Sequence, residues 1–220
     1  MDPGQTDEDA LVENLSDWHN EYLDYYLAAC KEDGINDVTD PGYDDHFRGS
    51  LNYFFTMKGL TLSHSTEYFN CPALSTVENN IDLDESLKAE FDSLGASLLD
   101  SVIYMLDNRI DDPAFDVRME SLYVLSNNIG NSQERLALKL GIMVAKKSRA
   151  YWNENSVDWT LHFAGKPDID KGQIVKRDVG GAVKGAFGGF IFGGPAGAVA
   201  FGLLTASWES AVNIVYQSIK

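Results

Sequence analysis

The sequence predicts an all-α fold, a helical bundle closed by a Gly/Ala-rich C-terminal helical hairpin, from three observations. Apolar residues recur at spacings of three and four along much of the chain. No stretch sustains period-two alternation between hairpin turns. A C-terminal segment carries glycines at intervals of four. The helical pattern begins with Leu11, Leu15, Trp18, Tyr22, Tyr25 and Ala29, one amphipathic helix. Its acidic first turn (Asp7, Glu8, Asp9) suits the positive end of the helix dipole, and Gly34 follows its end. Residues 31–50, KEDGINDVTDPGYDDHFRGS, read as a loop. A short helix follows at Leu51 to Met57, and the run TLSHSTEYF either extends it or forms a strand. Leu87, Phe91, Leu94, Leu98, Val102, Met105 and Leu106 mark a second long helix. Asp112 before Pro113 reads as an N-cap followed by an N1 proline, and Phe115, Met119, Leu122 and Leu125 form the apolar face beyond it. Asn131 or Ser132 caps a further helix containing Leu136, Leu140, Met143 and Val144. Lys146, Lys147 and Arg149 fall in its last turns, where the dipole favours positive charge.

The 220 residues amount to one medium-sized domain, or one with an appendage, and 44% hydrophobic content is enough for a packed core. A net charge of -17 argues against binding nucleic acid through its phosphates, which takes a concentrated basic surface. Two cysteines, Cys30 and Cys71, cannot build a disulfide framework or a four-ligand zinc site by themselves. The opening MDPGQTDEDA is acidic and lacks the basic and apolar regions of a secretory signal, which fits an intracellular protein or one whose signal has been removed.

Charge and glycine are distributed unevenly. Residues 1–130 hold 27 acidic and 6 basic residues, whereas 131–220 hold 7 and 11. Nine glycines lie between Gly180 and Gly202. The asymmetry suggests two tasks, or one part shielding the other. We divide the chain into an acidic helical domain, 1–172, and a Gly-rich apolar hairpin, 173–220, packed on the first part.

Gly185 to Trp208 is a run of 24 uncharged residues, GAFGGFIFGGPAGAVAFGLLTASW, long enough to cross a bilayer as one helix. Glycines dilute its hydrophobicity and Pro195 interrupts it. Gly181, Gly185, Gly189, Gly193 and Gly197 form a bare groove along one helix face, which lets another helix approach closely. Each exposed helical glycine costs about 1 kcal/mol relative to alanine, so close packing has to compensate. Lys171, Lys176, Arg177 and Lys184 provide a basic flank. Phe187, Phe190, Ile191, Phe192, Phe201 and Trp208 are the side chains available to a membrane or a partner. Gly193-Gly194-Pro195 reads as a helix stop and restart, with arms at about Ile174 to Phe192 and Pro195 to Ile219. The apolar part of the first arm, Gly185 to Phe192, covers only about 12 Å at the helical rise, so the hairpin cannot cross a bilayer twice.

This tail resembles those of glycine-zipper proteins and small unmodified bacteriocins, in which GxxxG-rich helices act at membranes. The likeness covers residues 180–206. SDWHNEYLDYYL, with its His19-Asn20 pair, is similar to the opening of uncharacterised bacterial proteins that join a helical domain to a Gly-rich end; no activity follows from that. The chain departs from a small bacteriocin in its large acidic domain and in lacking a double-glycine leader near its start.

Nothing in the sequence identifies catalysis, a cofactor or a metal. The histidines, His19, His46, His64 and His162, form no HExxH, and no cysteine pair has CxxC spacing. His64 and Glu67 have the spacing of carboxylate–histidine metal sites but no second matching pair. His46 beside Asp44 and Asp45 misses the EF-hand ligand pattern and reads as solvated loop charge. His19-Asn20 reads as a polar motif, a cap or an interhelical hydrogen bond. Gly180-Gly181-Ala182-Val183-Lys184-Gly185 lacks the Gly-Lys-Ser/Thr ending of a phosphate loop, and no GxSxG elbow occurs. The first functional expectation is therefore a noncatalytic bacterial protein whose hairpin mediates membrane association or self-assembly and is kept soluble by the acidic domain. The alternative is a structural or interaction module with the hairpin permanently in its core, and the third is an enzyme with an unrecognised site.

Overall fold

The computed structural model describes residues 7–36, 42–59, 85–163 and 169–219. All regular structure among them is helical: α1 (Asp7–Leu15), α2 (Trp18–Asp33), α3 (Tyr43–Met57), α4 (Glu85–Lys88), α5 (Ser93–Asn108), α6 (Phe115–Ser126), α7 (Ser132–His162) and α8 (Lys171–Ile219). The chain is therefore an all-α bundle.

Helix α7 is its axis. Leu136, Ala137, Leu138, Lys139, Leu140, Gly141 and Ile142 are buried without interruption, so this stretch is covered on every side. The last helix, α8, packs along α7 more extensively than any other pair of elements meets. It is two helical arms, 171–193 and 195–219, divided at Gly194, whose φ of 58° and ψ of -149° interrupt the helix. A residue with a Cβ rarely adopts such a backbone, whereas glycine does so freely, and Pro195 then sits at the first turn of the second arm, where its missing N–H costs nothing. Helices α1 and α2 pack on both α7 and the hairpin, α3 packs on α2, and α5 and α6 pack on each other and on α7.

Several boundaries differ from those read in the sequence. The first apolar repeat is split into α1 and α2 at Ser16-Asp17; Ser16 is buried and its Oγ–H donates to the Glu13 carbonyl 3.1 Å away. Asp17 stays in the right-handed helical region (φ -71°, ψ -22°), so the periodicity runs through the break undisturbed. Gly34 ends α2 with φ 71°, its N–H bonded to the Cys30 carbonyl. Helix α3 begins at Tyr43, inside the stretch read as loop, because Tyr43 and Phe47 add an apolar face to the one that continues through Leu51, Phe54 and Phe55. The second apolar repeat is also two helices, α4 and α5. Asp92 separates them as an N-cap, its Oδ1 accepting from the Gly95 N–H at 2.7 Å. Asp112 is not a helix N-cap. It accepts from the Ala114 N–H at 2.8 Å in a turn, and α6 begins at Phe115. Asn131 does cap α7, accepting from the N–H groups of Gln133 and Glu134. Because α7 runs on to His162, Lys146, Lys147 and Arg149 lie in its middle rather than at its end.

The uneven charge has a structural counterpart. Basic residues beyond position 130 pair with acids before it: Arg135 with Glu8 (2.8 Å), Lys139 with Asp9 (2.6 Å), Lys146 with Glu120 (2.6 Å), Lys176 with Asp107 (2.9 Å), Arg149 with Asp116 (3.5 Å), and Lys147 with Asp17. The two regions interlock through these bridges. Most are surface pairs worth little singly. Lys139 is the exception: fully buried beneath the Tyr123 ring, it depends on Asp9, to which Tyr123 also donates a hydrogen bond at 2.9 Å.

Candidate functional site: the glycine hairpin and its polar base

Three glycines of the first arm face the backbone of the second. A Cβ on Gly181 would stand 2.9 Å from the Thr205 carbonyl, one on Gly185 2.5 Å from that of Phe201, and one on Gly189 2.3 Å from that of Gly197. From the other side, a Cβ on Gly197 would lie 2.5 Å from the Gly189 carbonyl. All of these are far inside van der Waals contact, so the arms touch backbone to backbone as an antiparallel pair. Gly193 takes no part: a Cβ there meets nothing within 4 Å. Gly202 does take part, since its Cβ would collide with Leu140 of α7 at 2.3 Å and with the Ala182 carbonyl at 2.6 Å. In the sequence it belongs to a second row of small residues, Ala182, Ala186, Gly194, Ala198, Gly202 and Ala206, that nearly continues the glycine groove on an adjacent face.

The aromatic side chains of the segment are distributed along its length. Phe187 is partly buried edge-on against Phe91, with ring centroids 5.1 Å apart, and its carbonyl accepts from the Gln133 side-chain amide at 3.0 Å. Phe190 is partly buried against the core, Phe201 is half-buried, and the side chain of Phe192 lies outside the described set. Trp208 packs edge-on against Phe47 at 4.5 Å, with the Arg48 guanidinium over its ring. Ile191 is 75% exposed and, with exposed Gly193, Pro195 and Ala196, forms the bare end of the hairpin.

At the opposite end, charged and polar groups enter the core. Asp178 of the first arm and Ser210 of the second are fully buried, as are His19 of α2 and Ser148 of α7. His19 Nε2 lies 3.2 Å from Ser210 Oγ and 3.4 Å from Asp178 Oδ2, and its Nδ1 is 2.8 Å from Asn20 Oδ1. The Asn20 amide donates to the Lys147 carbonyl of α7 at 3.1 Å, and Ser148 donates to Asp178 Oδ2. The His19-Asn20 pair is thus an interhelical motif tying α2 to α7 and to both arms. Beside it, burial pushes the Glu209 carboxyl up to about 7, against the pull of nearby Arg177 and Lys184 and assisted by Asp178. The sequence held a trace of this base. Asp178 and Glu209 are the acids that bracket the uncharged run, one on each arm, and hairpin pairing brings them together.

A serine hydroxyl at a histidine nitrogen, with an amide oxygen on the other nitrogen, has the components of a nucleophile and its base. Here Ser210 and His19 are completely shielded from solvent, and the 590 Å³ cleft nearby, lined by Asp107, Asp111, Arg149, Lys171, Lys176 and Arg177 among others, includes neither. The arrangement organises helices and offers a substrate no access. Cys30 is buried, and burial raises its thiol to about 11, which suppresses the reactive thiolate. His46 lies on α3 and pairs with Asp33 at 2.9 Å rather than forming a loop metal site, and His162 donates to the Ile35 carbonyl at 2.7 Å. Among the described residues no group of three or more His, Cys, Asp or Glu side chains could hold a metal. His64, Glu67, Cys71 and the run 61–69 lie outside the described residues. No described helix is long and apolar enough to cross a membrane.

No family model, curated protein or solved structure matches this chain.

Proposed function

We propose that the protein is a noncatalytic helical interaction module in which the glycine-rich hairpin is permanent core. The observation that supports this most strongly is the contact of Gly181, Gly185 and Gly189 with the backbone of the second arm. The groove that a partner helix would need is filled from within the chain. Val179, Val183, Val199, Leu203 and Leu204 are buried as well, so release would expose a large apolar surface and separate buried polar partners. Deleting residues 171–219 tests the reading. The remaining fragment should lose its cooperative melt and bind a hydrophobic dye, because α7 would be stripped along the face the hairpin covers. A fragment that melts as sharply as the full chain would make the hairpin an appendage and end this reading.

A second reading, in which the protein associates with membranes or with itself, draws support from the bare end of the hairpin. Ile191, Pro195 and Ala196 are exposed within an uncharged run, so this end can enter an interface without opening the stem. Full-length protein should then float with phospholipid vesicles or elute as an oligomer, and Ile191→Asp should abolish both behaviours. Negligible flotation together with a monomeric elution volume would remove the reading.

A further inference from the structure

Building on the reading of the chain as an interaction module, we propose that the outer face of α5 and α6 receives a second copy of the chain, as a two-fold pair centred on Ser121. Helix α6 carries two apolar stripes rather than one. Phe115, Met119, Leu122 and Ser126 recur at spacings of four, three and four and are met by the core: Phe115, Met119 and Ser126 are buried, and Leu122 packs against the buried cluster. Val117, Ser121 and Val124 repeat the spacings of four and three on the opposite side of the helix, with Leu125 beside them. Val117, Val124 and Leu125 are 69%, 57% and 48% exposed, and Tyr104 of α5 is 52% exposed. Single exposed apolar side chains are ordinary, but a cluster beside a groove marks a contact surface. The groove between the two helices measures 470 Å³ and is lined by Ser97, Ser101 and Tyr104 of α5 and by Arg118, Ser121 and Leu122 of α6 among others. It asks for no polar match from its serines. Ser101 Oγ donates to the Ser97 carbonyl and Ser121 Oγ to the Val117 carbonyl, each at 3.0 Å, so both hydroxyl protons are used within their own helices.

Charge selects the occupant. The chain has a net charge of -17, yet each charged side chain of α5 and α6 has an opposite partner: Asp100 with Lys88 (2.5 Å), Arg118 with Asp112 (3.8 Å), Asp107 with Lys176, Asp116 with Arg149, and Glu120 with Lys146. This face is locally neutral. Surplus acid lies elsewhere, at Glu32 of α2, Asp45 of α3, and Glu154 and Asp158 of α7, which have no ion pair among the described residues. A cationic partner would be drawn to those acids. A face that is apolar at its centre and neutral at its rim instead admits another copy of an acidic chain without setting like charges against each other. The residue order of α6 also suits two-fold symmetry. In an antiparallel pair of α6 helices crossing at Ser121, residues equally far before and after it meet, and its small side chain lets the helices come close. Val117 of one copy then faces Leu125 of the other, and Val124 faces the aliphatic stem of Arg118, each contact occurring twice. The remaining acid makes the two copies repel at long range, so a pair held by apolar contact tightens as salt is added, the reverse of an interface held by ion pairs.

Sedimentation equilibrium of the full-length protein tests the pairing. It should show a reversible dimer whose dissociation constant falls about tenfold as NaCl is raised from about 0.05 to about 0.5 M. Val117 is exposed in the single chain, so Val117→Asp should leave the melting temperature unchanged. It should raise the dissociation constant at least about a hundredfold, because each dimer would bury two unpaired carboxylates. Ile191→Asp, at the bare end of the hairpin, should leave the dimer intact. If Val117→Asp fails to fold, Ser121→Cys in a Cys71→Ser background gives an independent check. Its thiols lie near the two-fold axis, so mild oxidation should yield a covalent dimer, whereas Val157→Cys, comparably exposed on α7, should stay monomeric under the same treatment. A chain that sediments as a monomer at all concentrations overturns the proposal. So does a dimer that weakens with salt, that Val117→Asp leaves intact, or that Ile191→Asp dissolves equally. None of these outcomes bears on whether the hairpin is core, which the melt of the 171–219 deletion reads separately.

Discussion

The α2–α3 wall and the C-terminal hairpin solve the same packing problem by opposite means. In the wall, Tyr22, Tyr26, Phe47, Phe54 and Phe55 fill the space between two helices with rings, Tyr26 and Phe47 meeting edge-on with centroids 4.9 Å apart. In the hairpin there is no space to fill, and the stem is held by backbone contact at Gly181, Gly185 and Gly189. The first kind of interface is vulnerable to losing atoms, the second to gaining them. Trp208 joins the two, since it leaves the second arm and packs against Phe47. The small-residue helix pair is thereby anchored to the aromatic one by a large side chain at its base.

The comparison can be broken from the aromatic side first, where the expected effect is largest. Phe55 is fully buried, and Phe55→Ala removes a ring from a wall whose neighbours are themselves rigid rings, so little collapse can follow. Chemical denaturation should show a loss of about 3 to 5 kcal/mol with an unchanged denaturant slope. A loss under about 1 kcal/mol would mean that the wall repacks as a pliable cluster and the contrast with the hairpin is false.

How much of this was legible in the sequence follows from the range of each interaction. The helices around Leu98, Leu136 and the two arms could be read because their apolar spacing is local. The places where helices stop were harder. Asp17 keeps helical dihedrals and hides the division between α1 and α2, while Asp92 caps α5 within an uninterrupted apolar period. Glycine spacing pointed to a groove but not to its occupant, and it included Gly193, which faces open space because Gly194 turns the chain immediately beyond it. Whether a glycine serves the contact depends on where the partner arm runs. The polar base was the least accessible part. His19 and Ser210 are 191 positions apart, and no local pattern announces a hydrogen bond between residues so distant. The excess of acid before position 130 suggested a shield or a second task. Its structural counterpart is plainer: Glu8, Asp9, Asp17, Asp107, Asp116 and Glu120 are partners for the cations of α7 and the first arm.

The smallest substitutions give the most direct test, because Gly188 and Gly189 are neighbours in one helix and differ in what lies beyond them. A methyl group on Gly188 meets nothing within 4 Å, while one on Gly189 would be driven into the Gly197 carbonyl at 2.3 Å. Each change to alanine raises helix propensity by the same amount, about 0.8 to 1 kcal/mol, so a matched pair of unfolding curves isolates the contact. Gly188→Ala should stabilise the protein by up to about 1 kcal/mol, and Gly189→Ala should destabilise it by about 1 to 3 kcal/mol. Opposite signs at adjacent positions are the result that backbone contact between the arms predicts. Two stabilised variants would contradict it, and the hairpin would then not be closed on itself along this row.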